Sequence, residues 1–79
     1  MDYDRLVGVL TRKERERDQV EIKIDRCVKD LNYYSFPADG IQSISPDMVQ
    51  QAANELKSLH SQWEALNAQI AELKKEVGM

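Results

Sequence analysis

Cysteine is nearly absent from this chain: Cys27 is the one thiol in 79 residues, so no internal disulfide can form. An unpaired thiol suits a reducing compartment, and the expected location is the cytoplasm. The N-terminus MDYDRLVGVL lacks the basic-then-apolar order of a secretory signal. No apolar run approaches the roughly 18 residues that cross a bilayer, so no membrane contact is expected. Histidine occurs once, at His60. With no cysteine or second histidine beside it, His60 is a poor metal ligand, and neither metal nor cofactor is expected. Ser58 and Ser61 flank it, but adjacent helical positions point to different faces, so no nucleophile–base pair forms. The carboxylates do not cluster for catalysis either. Glu72 with Glu76, and Glu21 with Asp25, are one turn apart on solvated helix faces. No acid, base and nucleophile converge, and an enzyme is not expected.

An excess of positive charge is also missing. The net charge is −3. Residues 1–36 carry eight basic and eight acidic groups, and residues 37–79 carry three and six. Neither half offers the positive field that binds nucleic acid without sequence preference. Disorder is excluded as well, because 42% of the chain is apolar and its apolar residues are patterned. At this length the chain is one domain, residues 1–79, with a small core. Without disulfides or metals, such chains draw stability from oligomerisation.

What is present is helical periodicity. Val49, Ala52, Leu56, Leu59, Trp63, Leu66, Ile70, Leu73 and Val77 alternate spacings of 3 and 4. That is an unbroken heptad seam, with Val49, Leu56, Trp63, Ile70 and Val77 at a and the others at d. Ser45, Pro46 and Asp47 mark its start, with Ile44 and Val49 placed as a hydrophobic staple. Lys74, Lys75 and Gly78 mark its end. The spacing predicts a helix over 46–77, about 46 Å long.

An earlier helix is predicted over 3–35. Tyr3, Leu6, Leu10, Val20, Ile24, Cys27, Leu31 and Tyr34 share one track, which Val7 and Val28 widen. Asp2 or Asp4 caps its start, and Phe36-Pro37 closes its end. The connector, residues 36–45, holds the turn signal Asp39-Gly40. A short connector between long helices of similar length predicts an antiparallel two-helix hairpin, coiled-coil-like and all-α. Two such hairpins would bury the wide stripes as a four-helix bundle. Ile41 and Ile44, with Tyr33, Tyr34 and Phe36, are expected to cap the hairpin tip; the alternative for the three aromatics is an exposed knob that docks a partner.

The segment RKERERDQ, residues 12–19, interrupts the track of the first helix with Lys13 and Arg17. An antiparallel fold places Leu31 near Val49, Ile24 near Leu56, Leu10 near Ile70 and Arg17 near Trp63. Either the aliphatic stems of Lys13 and Arg17 cover Trp63 and Leu66, with Arg17 stacked on the indole and Glu14 or Glu21 accepting the indole N–H, or a partner fills a gap left there.

These features predict a non-enzymatic protein–protein interaction module: an adaptor, small chaperone or assembly factor that offers its seam to a partner helix or a second copy. The expected contact is Leu59, Trp63, Leu66 and Ile70, with Lys13 and Arg17 at its edge and Tyr33 and Tyr34 at the tip. The alternative is a nucleic-acid-binding or antitoxin-like regulator that gathers the Arg and Lys of the first helix in a dimer.

Overall fold

Helix α1 runs Tyr3–Ser35 and helix α2 runs Pro46–Glu76, one residue short of the expected end. A single 3-10 turn, Ile41–Ser43, lies between them. The computed structural model describes every residue except Met1, Pro37, Asp39 and Met79. The parts of the helix stop and turn signal that rest on Pro37 and Asp39 therefore lie outside the described residues.

Local chemistry sets the helix ends. Asp2, not Asp4, caps α1: its Oδ1 accepts the Asp4 N–H at 3.1 Å. Ser45 occupies the N-cap of α2, but its hydroxyl makes no capping hydrogen bond. The start of α2 rests instead on Pro46, preset for helical φ, and on Asp47 at the positive end of the dipole. Gly78 takes the left-handed conformation at φ +79°, and its N–H donates to the Lys75 carbonyl at 3.2 Å. In the connector, Gly40 at φ +93° and ψ −168° adopts a backbone essentially closed to other residues.

The helices pack antiparallel into a rod of 60 × 15 × 15 Å. Buried residues among those described are Leu10, Val20 and Cys27 on α1, and Ala52, Leu59 and Ile70 on α2. All six belong to the predicted track or seam. Val49, Leu56, Trp63, Leu66, Leu73 and Val77 are half-buried. The seam thus faces α1 along its whole length, yet no described side chain is completely enclosed. The core is one layer deep, because two helices touch along a single line.

Cys27 belongs to that layer. Its Sγ donates to the Ala52 carbonyl at 3.1 Å. Burial, followed by the negative charges of Glu55 and Asp30, pushes the thiol above its ordinary value, against a smaller opposing effect of a backbone hydrogen bond at Leu56. A thiol so held stays protonated, and it serves as a small core residue rather than a nucleophile.

Candidate protein interface

The charged segment 12–19 forms a polar layer across the middle of the hairpin. Arg17 Nη1 donates to Asn67 Oδ1 at 3.3 Å. Its Nε is cut off from solvent, makes no hydrogen bond, and lies 3.9 Å from both Asp18 Oδ1 and Glu21 Oε1. Glu21 Oε1 also accepts the Trp63 indole N–H at 3.0 Å. So Glu21, one of the two expected acceptors, joins the guanidinium of its own helix to the indole of the other. Near the connector, Cys27 on Ala52 keeps the expected register; in the polar layer the long side chains reach one turn further, Arg17 to Asn67 and Glu21 to Trp63, with Arg17 and Trp63 both beside Glu21 Oε1. Lys13 and Arg17 keep 31% and 26% of their side-chain surface, which fits stems lying along the seam with their heads toward water.

The two flanks of the hairpin differ. In an antiparallel pair, e positions meet on one flank and g positions on the other. On the first, Glu21, Ile24, His60 and Trp63 line a depression of about 260 Å³. The His60 ring lies 5.7 Å from the indole at a 32° tilt, and its Nδ1 is 3.3 Å from Glu64 Oε1. On the second flank, Val9, Lys13, Ala68, Gln69, Glu72 and Leu73 line a depression of about 460 Å³ toward the chain ends. Nearer the connector, Lys23, Arg26, Asp30 and Glu55 surround another of about 280 Å³ on that flank.

Burial follows the same division. In the half nearer the connector, the d row is enclosed: Val20, Cys27, Ala52 and Leu59 are all buried. The a row beside it, Ile24, Leu31, Val49, Leu56 and Trp63, is half-buried and opens onto the first flank. Of the residues expected to meet a partner, Trp63, Leu66, Lys13 and Arg17 retain accessible surface. Leu59 and Ile70 do not, at 7% and 3% exposure. Helix α1 covers them, so they belong to the interior of the hairpin.

The tip is an exposed knob for most of its apolar residues. Tyr33, Phe36 and Ile41 are 74%, 80% and 85% exposed, so the expected cap reduces to Tyr34 and Ile44, which are half-buried. The Tyr33 and Tyr34 rings meet edge to face at 5.7 Å. Replacing Tyr33 and Phe36 together with alanine is expected to move the melting temperature by no more than about 3 °C. Tyr34→Ala should lower it measurably. A large drop in the double variant would restore the capping role.

One arrangement escaped the sequence reading. Arg5, Arg12, Arg15, Arg26 and Lys29 share the outward face of α1, because their spacing is helical although acids interleave with them in sequence. Among the described residues the four arginines form no ion pair, whereas Lys29 Nζ lies 3.0 Å from Asp25 Oδ2. Asp4, Asp18 and Asp25 border one edge of this stripe, and Glu16 and Asp30 the other. The stripe therefore presents positive charge bordered on both edges by negative charge.

Among the described residues no group of three or more His, Cys, Asp or Glu is gathered as a metal site, and no helix is long and apolar enough to cross a membrane. The class that fold and surface define is an all-α, coiled-coil-like antiparallel helical hairpin. No protein-family model matches the chain, and neither a curated protein nor a solved structure matches it.

Proposed function

We propose that this chain is a non-enzymatic protein–protein interaction module, in kind an adaptor, small chaperone or assembly factor. It works by packing another helical surface against the open flank of the hairpin. One observation carries the reading: the hairpin exposes 6053 Å², whereas a compact protein of its mass, 9.1 kDa, exposes about 4,900 Å². The excess is larger than the roughly 800 Å² that one partner contributes to a standard interface. Part of it is apolar, at Val28 and the tip. A second hairpin turns the pair of helices into a four-helix bundle, the simplest arrangement that deepens a one-layer core.

The test is thermal unfolding, followed by circular dichroism over about three decades of concentration. Association to a second copy makes the melting temperature climb with concentration, and Trp63→Ala should flatten that climb more than any fully exposed substitution. A well-folded monomer whose melting temperature is high and constant would overturn the reading.

A further inference from the structure

We infer that the occupant of the Trp63 flank is a second copy of this chain, seated on the strip formed by Ile24, Val28 and Leu31 of α1 with Val49, Leu56 and Trp63 of α2. The inference rests on the interaction-module reading and specifies its face and partner.

Three observations converge on this flank. The first is its exposed apolar surface. The strip is half-buried except for Val28, which is 38% exposed, and it runs from the middle of the hairpin toward the connector. The second is charge. In the same half, the e positions carry one charged residue, Glu21, whose Oε1 already accepts the indole N–H at 3.0 Å. The g positions opposite carry exposed Met48, but also Lys23, Asp30 and Glu55, which are costly to desolvate. The apolar flank is the one that water leaves easily. The third is area. The surplus surface of one hairpin exceeds one partner's share of a standard interface, and a two-fold pair presents the same strip from both sides. Trp63 and His60 sit near the middle of α2, which runs Pro46–Glu76. They therefore mark the mid-rod end of the strip, where Trp63 supplies an aromatic anchor.

The test is sedimentation equilibrium of the full chain, with tryptophan emission read on the same samples, since Trp63 is the sole tryptophan. Val28→Asp places a charge on the strip, and Ala53→Glu places one beside it at the e position between Val49 and Leu56; both residues are already exposed, so the fold survives. Met48→Glu and Ala68→Glu do the same on the opposite flank. The expected result is a wild-type dimer whose Trp63 emission shifts to the blue as it forms. The two strip variants should raise its dissociation constant about a thousandfold, since each interface carries the charge twice. The two opposite-flank variants should change it less than about threefold.

A wild-type dimer that withstands the strip variants and breaks with Met48→Glu or Ala68→Glu would overturn the assignment of the face while leaving self-association standing. A folded wild-type monomer at every concentration would overturn the second copy as occupant, and self-association with it. Circular dichroism on each variant separates dissociation from unfolding.

Discussion

Ile70→Asp is expected to abolish the hairpin, while Ile22→Asp leaves it folded. The two isoleucines differ only in position: Ile70 is 3% exposed on the seam, and Ile22 is 62% exposed on the outward face of α1. At Ile70 the substitution removes about 1.5–3 kcal/mol of side-chain burial. It also buries a carboxylate with no partner, which costs several kcal/mol more even after the group takes up a proton. A chain of this length is stable by roughly 4–12 kcal/mol on the usual per-residue average, and a core one layer deep places it toward the lower end. The measurement is helical circular dichroism with temperature, which should show little cooperative melting for Ile70→Asp. For Ile22→Asp the melting temperature should stay within about 3 °C of the wild type. A cooperative transition in Ile70→Asp close to that of the wild type would show that the seam does not hold the helices together.

Arg17→Leu is expected to raise the melting temperature by about 5–10 °C. Arg17 stands where the apolar track of α1 runs between buried Leu10 and buried Val20. Its Nε has lost water without gaining a hydrogen bond, and its nearest carboxylate oxygens are 3.9 Å away. Leucine removes that desolvation cost and extends the core layer. Glu21 keeps its hydrogen bond to the indole, and Asn67 turns to water. The gain should carry a cost in uniqueness. The Arg17–Asn67 hydrogen bond joins one position of α1 to one position of α2, while leucine packs nearly as well one turn away. Broadened or doubled amide resonances in the variant, beside its higher melting temperature, would report this loss of register. A lower melting temperature would mean instead that the polar layer contributes net stability.

This layer answers the puzzle of a charged segment set into an apolar track. RKERERDQ does not break the helix, because alternating charges suit a solvated helix face. It places two long side chains whose stems lie along the seam, and Glu21, two residues beyond the segment, links guanidinium to indole. It also sorts its arginines outward: Arg12 and Arg15 join Arg5 and Arg26 on a face where no ion pair holds them. The segment therefore contributes both to the inside of the hairpin and to its outermost face.

Periodicity by itself determined the two helices and the face each turns inward, and the short connector between them determined the antiparallel hairpin. Apolar spacing of 3 and 4 is a property of one helix, readable without its neighbour. The ends of the helices were legible for the same reason, since caps, proline and glycine act within a few residues. The tertiary structure decided what depends on both helices at once. One such feature is the wiring of the polar layer: that Arg17 reaches Asn67 while Glu21 accepts the Trp63 N–H depends on side chains of both helices. Another is burial within the seam. Leu59 and Leu56 look alike in sequence, but in the half nearer the connector the d row is enclosed and the a row left open. A third is the tip, where Tyr33, Phe36 and Ile41 turn outward because two helices ending together offer no surface wide enough to cover them.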